Sequence, residues 1–314
     1  MPASDIQQIA VIGLGTIGHG MAQAFAMAGR SVRAFDGSSQ ARESAADRIR
    51  SSLEQMHQGG IELRDSIDVI VARVQVVDSD EEAVSDSQFV SEAIQEDLSV
   101  KQQVFKRIET FVSDSTILAS NTSSFPMTQI SQDMKRPERA IVTHPFNPPQ
   151  IVPVVEIVPG TKTDPAVVDA TIDLYNDIGK VPVRLKKELP GFLINRIQVA
   201  MIREVWDMLE QDVASKEDID RAVQGSLGFR LAALGPLEVC DFGGLDIWSK
   251  VYEILAQDIR SDRELPNVVR EVVEGGNFGP KTGQGFYDYG PERLPQRIKE
   301  RDRRYLELRR LFYS

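Results

Sequence analysis

The first half of the chain alternates short apolar runs with amphipathic stretches. Ile9 to Ile12 form a run that stops at Gly13, a glycine-punctuated turn follows, and Met21 to Ala28 read as a helix ended by Gly29. A second apolar run, Ser31 to Phe35, ends at Asp36. Strand, helix and strand in that order make the βαβ unit of a parallel sheet. Further strands are predicted at Val69 to Val76, Phe89 to Ala93, Thr116 to Ala119 and Ala140 to Thr143, with helical patterns between several of them, such as Val100 to Val112. Alternation of this kind predicts a doubly wound α/β domain of the Rossmann type, built on a parallel sheet.

After Lys186 the period changes. From Gly191 to Val213 the apolar residues Phe192, Ile194, Ile197, Met201, Ile202, Val205 and Leu209 follow helical spacing. Ser215 to Gly225, Leu245 to Ile259 and Pro266 to Val273 also read as helices, the last opened by a proline. No strand pattern of comparable length appears, so the second half is predicted to be all-helical. A chain of 314 residues is long for a single core and suggests about two domains. The boundary is placed near Pro190, giving an N-terminal domain over residues 1–189 and a helical domain over 190–314.

Composition narrows the class. Apolar residues at 41% and charged residues at 26% are ordinary for a soluble globular protein. No apolar stretch approaches the roughly 20 residues that span a bilayer, and Met1 to Gln8 lack the regions of a signal peptide. Cys240 is the only cysteine, which rules out an internal disulfide and an all-cysteine metal site and makes a cytoplasmic setting the default expectation. A net charge of -11 argues against nonspecific nucleic-acid binding, which needs cations to displace counterions. The exception is Pro291 to Ser314, with eight Lys or Arg against four Asp or Glu. There Ile298, Tyr305, Leu308 and Phe312 are spaced for one face, predicting a solvated helix packed by that stripe.

Chemistry concentrates in a few places. Gly13-Leu14-Gly15-Thr16-Ile17-Gly18 is a G-x-G-x-x-G sequence that closes a predicted strand and opens a helix, with Asp36 lying 18 residues past its last glycine. Gly13 permits the tight turn, Gly15 lets a pyrophosphate approach the backbone, and Gly18 lets helix and strand pack. The helix N-terminus, entered through Thr16 and Ile17, offers free N–H groups to phosphates. Asp36 can accept both ribose hydroxyls of NAD, whereas the extra phosphate of NADP would meet it as a like charge, at a cost on the order of 4 kcal/mol. Arg42, a helical turn or more beyond, is the one nearby candidate for such a phosphate and is read as a solvated helix residue. NAD is therefore the expected cofactor.

Three histidines exist. His19 lies beside the phosphate turn, and His57 stands in a polar helix-to-loop stretch. His144 follows the predicted strand Ala140 to Thr143 and enters a Pro- and Asn-rich loop, where open α/β sheets bind their ligands. By position alone it is as much a structural as a catalytic residue. Twelve residues on, Glu156 interrupts a second apolar run, Val152 to Val158. If that run returns beside the first, the carboxylate reaches the imidazole and poises it as a base. Spacing alone also allows a simple break in a hydrophobic strand.

Taken together these motifs resemble the 3-hydroxyacyl-CoA dehydrogenases over nearly the whole chain. The resemblance rests on the glycine turn, Glu92-Ala93-Ile94-Gln95-Glu96-Asp97-Leu98, Ser120-Asn121-Thr122-Ser123-Ser124, His144 with Asn147-Pro148, Pro190-Gly191-Phe192 with Asn195-Arg196, and Lys281 to Tyr287. It implies that His144 is the general base, Glu156 its partner, and Ser123 and Asn195 the hydrogen-bond donors to the substrate oxygen. Glu96 and Lys101 match positions at the nicotinamide end of the cofactor, and Asn121 is placed with them. The resemblance also implies a homodimer formed through the helical domain.

Two departures bear on the substrate. The typical acyl-CoA enzyme follows its histidine with two phenylalanines, whereas this chain has Pro145-Phe146-Asn147-Pro148-Pro149. That form resembles the lambda-crystallin (L-gulonate 3-dehydrogenase), carnitine dehydrogenase and vitamin B6-degrading members. The lysine-rich segment that meets CoA is also missing. No lysine occurs in the first 100 residues, and Arg42, Arg48, Arg50, Arg64 and Arg73 are dispersed among acids. Charge-assisted contacts contribute roughly 1.5–3 kcal/mol each, so the reading favours a small free 3-hydroxy acid over a CoA thioester. Arg196, Arg230 and Lys281 are the candidates to bind its carboxylate, while the well-kept Lys281 to Tyr287 motif speaks for the thioester. A reading of another class is an idle, crystallin-like NAD-binding protein, which the presence of both His144 and Glu156 disfavours.

Overall fold

The computed structural model describes residues 3–313; Met1, Pro2 and Ser314, which the readings at the two ends include, lie outside them. Eight strands form one sheet among these residues: β1 (Gln8–Ile12), β2 (Ser31–Phe35), β3 (Val74–Val76), β4 (Phe89–Glu92), β5 (Ile117–Ser120), β6 (Ala140–Pro145), β7 (Val154–Pro159) and β8 (Val181–Arg184). Their spatial order is β3-β2-β1-β4-β5-β6-β7-β8, the doubly wound arrangement extended at one edge. Neighbours are parallel except β6 and β7, which run antiparallel.

Both faces of the sheet are covered, which is why its strands read as continuous apolar runs. Successive side chains alternate: Ile9 and Val11 enter one core with Phe25, Phe89 and Tyr175, while Ala10 and Ile12 enter the other with Val90, Phe105 and Leu118. Phe25, Phe89 and Tyr175 pack pairwise with ring centroids 6.1 to 6.3 Å apart.

Three elements differ from expectation. The stretch Val69 to Val76 is not one strand: Ile67–Ala72 is a helix and only Val74–Val76 joins the sheet. The β-branched run suggested a strand, but the Ser66 hydroxyl accepts from Val69 N–H as an N-cap and only Ile70 of the helix is buried. The first helix begins at Thr16 rather than Met21, so Gly18 and Gly20 are helical. Gly18 stays because an added Cβ would sit 1.8 Å from the Gly13 carbonyl oxygen. The C-terminal helix, Leu294–Phe312, packs by Leu306 at 2% exposure, while Ile298, Tyr305, Leu308 and Phe312 are all exposed.

The chain forms two compact units. One runs to Arg196 and takes back the segment from Asp302; the other is Ile197–Arg301. The second unit is helical, with Lys216–Val223, a π-helical turn Gln224–Gly228, Phe229–Ala233, Pro236–Gly243, Leu245–Leu255 and Asn267–Glu274, joined to the helix Ile194–Glu210. Its buried apolar side chains are Ile219 and Val269, whereas Phe229, Leu237, Phe242 and Tyr252 stand largely in solvent. Among the described residues no helix is long and apolar enough to cross a membrane.

Candidate active site

The glycine turn joins β1 to the helix Thr16–Met27. Gly13 has φ +98°, and a Cβ there would lie 2.5 Å from the Ala93 carbonyl oxygen, so the turn and the end of β4 are in backbone contact. Gly15 differs, because nothing lies within 4 Å of where its Cβ would be. It is also the N-cap, without a side-chain cap, leaving first-turn N–H groups facing open space. Thr16 is exposed and Ile17 half-buried beside them. At the end of β2, Asp36 accepts from Leu14 N–H at 2.6 Å and Ser38 N–H at 2.7 Å, and is half-buried. A carboxylate with lone pairs to spare beside an open N–H cradle fits a dinucleotide. Arg42 is not simply solvated: it donates to the Asp36 carbonyl at 2.6 Å and lies over Phe35.

Past β4, the chain turns through Glu96 toward the loop after β5. Glu96 accepts from Thr122 Oγ1 at 2.6 Å and from Ser123 and Ser124 N–H, both at 3.0 Å, and pairs with Lys101 at 3.3 Å. Burial pushes its carboxyl pKa up, but these bonds and the Lys101 charge outweigh that and hold it below the usual range. Lys101 is buried, with Nζ 2.8 Å from Glu92 Oε1. Glu92, at the end of β4, also takes Ile94 N–H and the Ser120 hydroxyl. Asn121 donates to Ser91 Oγ and to the Glu92 carbonyl, each at 2.8 Å. A buried carboxylate with an ammonium between it and Glu96 therefore fixes the loop that presents Ser123.

His144 and Glu156 are directly opposite in the antiparallel ladder of β6 and β7. His144 Nδ1 lies 2.7 Å from Glu156 Oε2, and both residues are buried. The second carboxylate oxygen accepts from Leu193 and Ile194 N–H, each at 2.9 Å, at the start of the helix Ile194–Glu210. Phe146 and Phe192 flank the imidazole at centroid distances of 4.6 and 5.5 Å. With Nδ1 engaged by a carboxylate, Nε2 is left as the basic nitrogen. Asn195 Nδ2 donates to the Ser123 carbonyl at 3.4 Å, bringing these two half-buried side chains together.

Arg196, Arg230 and His19 make contacts of their own. Arg196 is exposed and donates to the Pro190 carbonyl; Arg230 and Lys281 lie in the second unit, where Arg230 turns back to Ser226. His19 is bound at its own turn, with Nδ1 2.7 Å from the Gly15 carbonyl oxygen and 3.2 Å from Arg48 Nη1. Burial, with the Arg48 charge, holds its pKa below the ordinary value despite the Gly15 bond. Arg48 also donates to the Leu14 and Ala41 carbonyls, tying the glycine turn to the helix Ala45–Gln58. Sequence reasoning missed Arg48 and Glu92 as parts of the site. Glu92 carried a signal, an acid ending a buried strand four residues before Glu96; Arg48 carried none. Among the described residues no three His, Cys, Asp or Glu side chains come together as a metal site.

Comparison with known proteins agrees with this geometry over most of the chain. Residues 8–189 match the model of the 3-hydroxyacyl-CoA dehydrogenase NAD binding domain, and residues 191–289 that of the 3-hydroxyacyl-CoA dehydrogenase C-terminal domain. The chain is 36% identical to 5-formyl-3-hydroxy-2-methylpyridine 4-carboxylate 5-dehydrogenase of Mesorhizobium japonicum, over 98% of both chains. A solved structure of an enzyme of that name, described as an NAD+ dependent dismutase, superposes with a TM-score of 0.92 at 36% identity, covering 98% of each chain. The human lambda-crystallin homolog is 31% identical over 88% of each chain. The structure of (S)-3-hydroxybutyryl-CoA dehydrogenase from Ralstonia eutropha matches with a TM-score of 0.73 at 32% identity, over 90% of this chain and 99% of that one.

Proposed function

The chain belongs to the 3-hydroxyacyl-CoA dehydrogenase family and is an NAD-dependent oxidoreductase, and from that premise we propose that it oxidises the 3-hydroxy group of a small free 3-hydroxy acid, with His144 as general base. The observation that carries the reading is the buried His144–Glu156 pair at the carboxyl end of β6, at the same end of the parallel strands as the glycine turn. Bound NAD supplies the acceptor for the hydride that leaves the substrate carbon. His144 Nε2 takes the hydroxyl proton as the 3-oxo product forms. Glu156 holds Nδ1–H, fixes the tautomer and stabilises the imidazolium. Ser123 and Asn195 donate to the substrate oxygen, and Glu96, held by Lys101, sets the Ser123 loop. Gly13, Gly15, Thr16, Ile17, Gly18, Asp36 and Asn121 complete the cofactor site.

The free-acid reading is supported by the proline-rich loop after His144 and by the fuller match to the pyridine-carboxylate enzyme than to the hydroxybutyryl-CoA enzyme. That relative is named for a formyl substrate, which favours a second reading. A hydrated aldehyde presents the same O–H and C–H pair to the same base. Residues 190–314 serve substrate binding and homodimerisation in this proposal, and the apolar side chains left in solvent by the second unit are the surface a second copy would cover. The setting is cytoplasmic. The test is NADH formation, followed by absorbance, with L-carnitine, L-gulonate, a formyl-pyridine carboxylate and 3-hydroxybutyryl-CoA. Turnover of a free acid or aldehyde supports the reading; turnover of the thioester alone replaces it, and no turnover of any substrate favours an idle NAD-binding protein.

A further inference from the structure

The loop between β6 and β7 is fastened in one half and open in the other. Ile151 and Val152 N–H both donate to the Pro148 carbonyl, closing a helical turn. The four carbonyls that follow point out of its end without main-chain partners in that turn, which is where positive charge is favourable. A lysine and an arginine take them. Lys180, buried just before β8, donates to the Pro149 carbonyl and, at 3.0 Å, to that of Val152. Arg309 donates to the Gln150 carbonyl at 2.7 Å and that of Ile151 at 3.3 Å. Gly20 completes the seat, because a Cβ there would meet Pro149 Cγ at 2.7 Å.

Arg309 comes from the far end of the chain. Its helix, Leu294–Phe312, lies beyond both stretches that match the family models. From Asp302 on it counts with the first unit, where Leu306 is buried against Met56 and Ile151. It rests on the turn Gly59–Gly60: a Cβ on Gly59 would lie 2.5 Å from Leu306 Cδ1, and one on Gly60 3.1 Å from Arg310 Nη1. The helix is thus seated by an apolar contact to Ile151 and by a cation on the two neighbouring carbonyls. The half of the loop it leaves unfastened holds Phe146, packed on the His144 ring, and the exposed Asn147.

We propose that Arg309, reaching back from the C-terminal helix, is a positioning residue for substrate specificity: it pins Pro149–Val152 so that Phe146 and Asn147 are held in place beside His144. The proposal rests on the reading of His144 as the base. A wall built from an element outside the common family chain provides a means to change substrate while the acid–base pair stays fixed. Burial lowers the pKa of Arg309, but a guanidinium keeps its charge at neutral pH, so the clamp does not switch off there.

The test is steady-state kinetics of R309M, R309K, R310M and H144Q on the substrate panel above, with NAD affinity and thermal melting measured on each. Misplacement of a substrate wall by about an ångström costs up to ~100-fold, so R309M is expected to lose at least ~10-fold in kcat/KM, chiefly through KM. The ranking of substrates should flatten and NAD affinity should hold. R309K, which retains the charge, should recover part of the loss; R310M, a charge removed from the same helix, should behave as the parent. A residue with only a structural role would lower melting temperature and leave KM and ranking alone, and that result in R309M overturns the proposal. Should R309M not fold, the KM and ranking of the milder R309K decide by the same criterion. If H144Q keeps full turnover, the reading of the site fails; if H144Q is inactive and R309M matches the parent, only the clamp fails.

Discussion

Replacing Glu156 by glutamine tests the proposed base without changing the size of any side chain. The carboxylate is buried and accepts three bonds, from His144 Nδ1 at 2.7 Å and from Leu193 and Ile194 N–H at 2.9 Å each. An amide offers one acceptor in place of two. With its oxygen on the two main-chain N–H groups, its NH2 faces the imidazole and Nδ1 must turn acceptor. The ring proton then sits on Nε2, where the substrate hydroxyl has to be deprotonated. The reverse orientation sets NH2 against two N–H donors, leaving buried groups unpaired at about 1–3 kcal/mol each, so the first arrangement wins. Wrong-tautomer substitutions of this kind lower kcat on the order of 10⁴-fold, or about 5 kcal/mol of barrier. We expect a loss of roughly 10³- to 10⁴-fold in kcat for E156Q. The lost charge-assisted bond should cost about 1.5–3 kcal/mol of stability, a fall of several degrees in Tm. NAD affinity should be nearly unchanged, since the glycine turn is untouched. Single-turnover NADH formation with saturating substrate reads the rate, and fluorescence quenching reads the cofactor. A kcat within about tenfold of the parent, in folded protein that binds NAD, would refute the tautomer argument.

Three further outcomes can be checked. D36A should narrow the preference for NAD over NADP by removing a like charge worth on the order of 4 kcal/mol, and an unchanged ratio of kcat/KM values would mean another group selects the cofactor. E92Q removes one of the two carboxylates that pair with buried Lys101, Glu96 being the other, so the loss should fall below the about 3–5 kcal/mol of an uncompensated buried charge; thermal melts should show a drop that E92Q/K101M partly restores, and a parent-like Tm in E92Q would count against the ion pair. Lys180 is pushed down to about 7 by burial, with the Arg309 charge adding to the effect, against an ordinary value of 10.5. Between those values the unfolded chain holds the extra proton, so stability should rise with pH across that window and be flat in this contribution below about 7. Urea melts of the parent and K180M at several pH values should diverge as pH rises; parallel curves would show that the carbonyl bonds keep Lys180 charged.

What the sequence revealed followed from locality. The glycine turn, Asp36 and the strands at Ile9 and Ser31 are specified by residues within one βαβ unit, and they are found where the pattern put them. The His144–Glu156 contact needed one added assumption, that the second run returns beside the first, and the ladder satisfies it. Elements decided by tertiary contact were less legible. Val69 to Val71 are β-branched and suggest a strand, but a serine cap and a single buried side chain make them helical. On the C-terminal helix the apolar stripe looked like the packing face, yet Leu306 is the residue that finds a gap, because Gly59 leaves one. Arg48 serves the glycine turn through its contacts with His19 and the Leu14 carbonyl, which no spacing could announce.

The placement of the proposed acid–base pair on one rung of the antiparallel ladder has a consequence for how activity fails. A pair assembled from two loops can drift apart while the rest of the protein stays folded. His144 and Glu156 are instead opposed by main-chain pairing within the sheet, and the alignment persists for as long as β6 and β7 stay together. Ordering cost is met once, during folding, and not again at each turnover. On heating, or in urea, the catalytic rate should therefore hold until the cooperative unfolding transition and fall with it, without an earlier stage in which folded protein has lost the His144–Glu156 pairing.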